Sequence, residues 1–111
     1  MKAIYKGLES FIAALNPNAI EKVETKHYTG FKVYNRHFAD FNFKASKINI
    51  TVTILKREIT LKEGFTRDVS NIGKLGNGNI QIFCTETSNV KEIENLIKIS
   101  YNNITSKYEK K

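Results

Sequence analysis

Few residues of this chain have the type and spacing to do chemistry. They are two histidines, His27 and His37, one cysteine, Cys84, and eleven carboxylates among eighteen lysines and arginines in 111 residues. Neither histidine has a His or Cys neighbour at metal-ligand spacing, so each reads as a strand-surface residue rather than a ligand. A lone cysteine forms no internal disulfide, and its flanks, Ile82 and Phe83, read as buried strand. Glu24-Thr25-Lys26 supplies half of a metal-dependent nuclease pattern, in which the lysine orients the attacking water, but no Asp precedes Asp40 to complete it. Gly73-Lys74-Leu75-Gly76-Asn77-Gly78 has two readings, a tight connection before a strand or a backbone nest for an anion. No Lys-Ser or Lys-Thr pair follows at phosphate-loop spacing, and Ser70 and Ser88 lack a glycine-flanked elbow. The expectation is a chain that is not an enzyme and holds no cofactor or metal.

What remains is charge. The chain carries +7, and between Lys22 and Lys74 eleven basic residues face five acidic ones, so six of the seven net charges fall in that segment. Its placement depends on the elements. Ile4, Leu8, Phe11, Ile12 and Leu15 recur at helical spacing until Asn16-Pro17 stops them. Lys22 to Tyr34 reads as a strand with Phe31 and Val33 inward, and Asn35-Arg36 as a tight turn into a second strand, Phe38 to Lys44. A two-residue turn puts Phe38 with Val33 but not with Phe41 and Phe43, which demands either a bulge or a partly covered second face. Ile48, Ile50, Val52 and Ile54 alternate with polar residues, and the short connection from Lys44 sets Phe43 opposite Ile48 and Phe41 opposite Ile50.

Farther on, Ile59 and Leu61 suggest a short edge strand, and Phe65 to Gly73 a helical turn or ordered loop. Asn77-Gly78 turns the chain into a strand over Asn79 to Thr85. Ser88 or Asn89 caps a last helix whose stripe runs Val90, Ile93, Leu96, Ile97, Tyr101, Ile104 and Tyr108, with Lys107, Lys110 and Lys111 at its negative pole. The fold class is α+β: one domain over residues 1–111, an antiparallel sheet of about four strands, with the N- and C-terminal helices packed on one face. There is no run of membrane-spanning length and no signal-peptide pattern, so the expected location is the cytoplasm, with no membrane partner.

With Phe31 and Val33 inward, Lys26, Tyr28, Lys32 and Tyr34 point outward, joined by Asn42, Lys44, Lys47, Asn49 and Thr51. Ammonium groups displace counterions from phosphates and aromatic rings stack on unpaired bases, so such a face suits nucleic acid. The ordinary reading is a solvated sheet face whose lysines discourage aggregation. The candidate nucleic-acid residues are Lys26, Tyr28, Lys32, Tyr34, Arg36, Lys44 and Lys47, with Arg67 and Lys74 as a second patch.

Phe38-Ala39-Asp40, Thr66-Arg67-Asp68-Val69-Ser70-Asn71-Ile72-Gly73, Gly76-Asn77-Gly78 and Leu96-Ile97-Lys98-Ile99-Ser100-Tyr101 together resemble an uncharacterised bacterial domain family often labelled "predicted transport protein". The resemblance spans Ile4 to about Asn103. That family typically carries His-Trp where Lys74-Leu75 stand here, Thr in place of Asn77 and Asp in place of Asn79. Its members are commonly C-terminal domains of restriction-nuclease-like proteins. The resemblance therefore implies an accessory domain that binds DNA or RNA, or a larger nuclease-like protein. The alternative is a protein-interaction or dimerisation module.

Overall fold

The structure, a computed structural model, describes residues 2–54, 59–69 and 78–109. In chain order these form helix α1 (Lys2–Leu15), strands β1 (Glu21–Glu24), β2 (Thr29–Val33), β3 (Arg36–Phe43), β4 (Ile48–Val52), β5 (Thr66–Asp68) and β6 (Ile80–Cys84), and helix α2 (Val90–Glu109). The strands make one sheet in the order β1-β2-β3-β4-β6-β5, every pair antiparallel. The α+β class is as expected; the sheet has six strands rather than about four.

Both additional strands have a local cause. Lys22 to Tyr34 is two strands, because Thr25 closes a turn: its hydroxyl accepts from the backbone N–H of His27 (3.2 Å) and Tyr28 (3.1 Å). Thr66–Asp68, read as loop or helical turn, pairs with β6 and takes the edge position expected of Ile59 and Leu61. Residues 59–62 lie in no strand, and residues 55–58 fall outside the described part.

The β3–β4 register is as read, Phe43 opposite Ile48 and Phe41 opposite Ile50. The β2–β3 turn sits one residue earlier than expected, at Tyr34 and Asn35, both with positive φ (52° and 61°). Left-handed angles at both central residues match the twist of a two-residue hairpin. Beyond it, Lys32 opposes His37 but Phe31 opposes Ala39, leaving Phe38 as an extra residue on β3. This bulge sends Phe38 into the core, where its ring meets Tyr101 of α2 edge-on at 5.4 Å.

Leu8 and Ile12 of α1, Ile93, Leu96, Ile97 and Ile104 of α2, and Phe31, Phe41, Ile48, Ile50, Ile82 and Cys84 of the sheet form one buried cluster. Tyr5 of α1 packs edge-on against Phe41 and Phe43. Asn89 caps α2, its side-chain oxygen accepting from the Glu92 N–H at 3.3 Å. Ser88, the other candidate cap, instead donates to the Phe83 carbonyl and accepts from the Thr85 N–H. Among the described residues, no helix is long and apolar enough to cross a membrane.

Ser100, a polar residue at a position on the buried face of α2 where the apolar stripe would otherwise continue, is fully buried. Its hydroxyl donates to the Phe38 carbonyl (2.6 Å) and accepts from the Thr53 N–H (2.9 Å), while Asn103 donates to the Thr53 carbonyl (3.1 Å). One helix thereby supplies partners to backbone groups freed by the bulge and by the end of β4. Ser100→Ala leaves two buried backbone groups short of a partner, and chemical denaturation should show a loss of about 1–3 kcal/mol. Gly7, exposed on α1 with open space around it, should behave oppositely. Gly7→Ala should raise stability by about 0.5–1 kcal/mol in the same assay, because alanine loses less backbone freedom in a helix.

Candidate functional site

The register carries one row across five strands: Gly30, Asp40, Thr51, Gln81 and Arg67 are successive cross-strand neighbours. Strand alternation places this row on the face opposite Phe41, Ile50 and Ile82. An outward sheet face is ordinarily wet, yet Asp40, Thr51 and Gln81 are at most 5% exposed. Each end of the row is secured by a side-chain bond. His37 Nδ1 lies 2.8 Å from Asp40 Oδ1, an arrangement in which the imidazole N–H donates to the carboxylate. Arg67 Nε donates to Gln81 Oε1 at 3.0 Å.

His37 and Asp40 are three residues apart, an odd spacing that puts them on opposite faces of a regular strand. The bulge at Phe38 brings them onto one face. Gly30 lies beneath the pair: a Cβ there would collide with Asp40 Oδ1 and stand 2.9 Å from His37 Nδ1 and 3.0 Å from Tyr28 Cε2. The Tyr28 ring covers this glycine and sits 6.0 Å from the imidazole.

The neighbouring outward row is Asn42, Asn49 and Phe83. Two cations attend the half-buried Phe83 ring, Lys47 Nζ at 5.2 Å and Arg67 Cζ at 5.7 Å from its centroid. Both lie within the range where a cation is drawn to the ring's negative face. Beside them, Asn49 Oδ1 is buried and has no hydrogen-bond partner among the described residues. An unmet buried acceptor costs about 1–3 kcal/mol.

Of the residues expected to contact nucleic acid, Tyr28, Lys32, Lys47 and Arg67 gather on this outward face. Lys26 and Lys44 are exposed in the β1–β2 and β3–β4 turns, at one end of the sheet. Tyr34 lies in the turn at the other end, 45% exposed, so it is a turn residue rather than a strand residue. Arg36 pairs with Val33, whose side chain is core, so alternation sets it on the helix side at that rim. Lys74, with the Gly73 to Asn77 segment and both of its readings, lies outside the described residues. Glu24 pairs with Thr29 opposite Phe41, on the face away from Asp40, so these two carboxylates do not share a site. Among the described residues, no three His, Cys, Asp or Glu side chains gather around a metal-sized gap.

Several basic residues are engaged by carboxylates. Lys22 donates to Glu9 at 2.6 Å, and this bond pushes its ammonium pKa up to about 12. Lys32 lies 3.9 Å from Glu21, and Lys62 pairs with Glu92. Burial pushes the Cys84 thiol above its usual value, which suits a core residue rather than a nucleophile.

Two features were missed in the sequence. Phe83 was read only as a flank of Cys84, although inward Ile80, Ile82 and Cys84 already set Gln81 and Phe83 outward. The His37–Asp40 pair carried no sequence signal, because its spacing looks wrong until the bulge is known.

The family described as "Domain of unknown function (DUF5655)" matches residues 1–104 of the chain. No curated protein and no solved structure matches it. The match agrees with the resemblance to an uncharacterised domain family and includes no transport label and no nuclease context. The close packing over Gly30 has a direct consequence. Gly30→Ala should separate His37 from Asp40 and lower the melting temperature, with the His37 ring protons shifted in NMR spectra; an unshifted His37 in a stable variant would contradict this geometry.

Proposed function

Because the chain belongs to the DUF5655 family, a domain family of unknown function, its role is read from the site, and we propose a non-enzymatic, nucleic-acid-binding accessory domain. One observation carries the reading. The sheet face opposite the core sets Lys47 and Arg67 against the Phe83 ring and carries the Tyr28 ring beside His37 on the same face, and Asp40, the buried carboxylate of that face among the described residues, is bonded to His37. Cations among aromatic rings are what a surface needs to follow a phosphate backbone and to hold bases. Lys26 and Lys44 extend that surface at the turns, and Tyr34 and Arg36 flank its far end. The resemblance to C-terminal domains of restriction-nuclease-like proteins supports placing the domain in DNA-directed defence, acting in the cytoplasm on DNA or RNA beside a larger nuclease-like protein.

A second reading, a protein-interaction or dimerisation module, is favoured by the edges. β1 and β5 end the sheet order, and an edge strand offers backbone groups to a partner strand. Charged Glu21, Lys22 and Glu24 on β1 weigh against uncontrolled pairing.

In mobility-shift and anisotropy titrations with a generic oligonucleotide, binding should appear at low salt and weaken steeply as salt rises. The double variant Lys47→Ala/Arg67→Ala should bind more weakly and lower the slope of log K against log salt by about 1–2. A Lys2→Ala/Lys6→Ala control on α1 should match the unaltered protein. No binding at low salt and high protein concentration overturns the reading.

A further inference from the structure

We propose that Phe83 is a stacking seat for one unpaired base, so that the ligand of this face is a single strand rather than a duplex. This rests on the nucleic-acid reading above and makes it more specific. In a duplex the faces of the bases are covered by their neighbours, leaving only edges and backbone to a protein surface. A strand with splayed bases offers its faces. A flat ring held on a sheet by its cross-strand neighbours is a rigid partner for such a face, and Phe83 is the outward ring of β6, paired with Asn49.

The groups around it divide the remaining work. Arg67 is held by Gln81 and stays beside the ring. Lys47 belongs to the β3–β4 connection and is the cation that yields the ring to an incoming base and turns to the adjoining phosphate. A charge already resting on a ring rather than on a carboxylate makes this exchange without breaking an ion pair. Asn49, the cross-strand neighbour of the ring, has its Oδ1 buried without a hydrogen-bond partner among the described residues, so a turn of that amide toward the seat brings it a donor, an exocyclic amino group on the edge of the seated base. Asn42, the next residue in the ladder, extends the amide row toward β3.

The chain contains no tryptophan, so Phe83→Trp creates a single reporter at the seat. Its emission should quench on titration with an unstructured 12-residue oligonucleotide and stay unchanged with a duplex of the same length. In anisotropy titrations the unaltered protein should bind the single strand about tenfold more tightly than the duplex. Phe83→Ala should remove about tenfold of the single-strand affinity while leaving duplex binding within about twofold, and Phe83→Tyr should retain it. Circular dichroism confirms that the variants fold. Equal binding of both ligands, or single-strand affinity unchanged in Phe83→Ala, overturns the seat while leaving the nucleic-acid reading standing. Absence of binding to either ligand overturns both.

Discussion

One extra residue in β3 organises both faces of this sheet. Between the Phe31–Ala39 and Lys32–His37 pairs the third strand spends a residue that its neighbour does not, and Phe38 is that residue. On the inner side this puts an additional phenyl ring against Tyr101 and presents the Phe38 carbonyl to Ser100. On the outer side it reverses the alternation upstream of Phe38, so that His37 reaches Asp40. A regular β3 would lose the imidazole partner of a buried carboxylate and the hydrogen bond that locates α2. The cost of an interrupted ladder is met by the hydroxyl of a helix, which is why Ser100 stands where an apolar stripe would otherwise continue.

The outward row depends on similar compensation. Burying Asp40 is unfavourable unless the carboxylate is paired and hydrogen-bonded. His37 provides one bond, and Gly30 provides the space for both side chains. At the other end of the sheet the chain enters β6 through Gly78, whose missing Cβ would collide with the Val52 carbonyl. Asn79 then extends the pairing by side chain: its amide oxygen accepts from the Ile54 N–H (2.9 Å) and its amide nitrogen donates to the Ile54 carbonyl (2.7 Å). The resembled family typically has Asp at this position, and a carboxylate accepts the first bond but cannot donate the second. Asparagine therefore satisfies the end of β4 completely where an acid satisfies half of it.

The legible parts of the fold were those where periodicity runs long enough to average out local exceptions. Helix α1 with its stop at Asn16-Pro17, the Ile48–Val52 alternation, its register against β3, and the stripe and cap of α2 all follow from spacing over five or more residues. What escaped was short or irregular. β5 is Thr66-Arg67-Asp68, too short to show alternation, and it becomes a strand only because β6 offers it an edge. The division of β1 from β2 rests on one turn, closed by the Thr25 N–H donating to the Tyr28 carbonyl (2.9 Å) and by the Thr25 hydroxyl. Tyr34 and Asn35 adopt left-handed angles at a hairpin that lacks the usual glycine, so the turn, read at Asn35-Arg36, begins one residue earlier at a tyrosine that reads as strand. The need for a bulge was visible as a conflict of faces, but its position was not, and the His37–Asp40 pair was hidden with it.

The structure also changes what the net charge means. Counted along the sequence, six of the seven net positive charges fall between Lys22 and Lys74, and the eleven basic residues there appear equivalent. In the fold, Lys22 lies against Glu9 and Glu24, Lys32 near Glu21, and Lys62 against Glu92. An ammonium beside a carboxylate presents little field beyond about one Debye length, roughly 8–10 Å at ordinary ionic strength. Lys47 and Arg67 differ in kind: the contacts described for them are the Phe83 ring and the neutral Gln81 amide. A ring quadrupole orients a cation without cancelling it, so these two residues hold their charge in place and keep it available to phosphate. Among the described residues, Lys47 and Arg67 thus share the one aromatic ring that alternation turns out of the core on β6, and the position of that ring, more than the total of +7, defines the candidate interface.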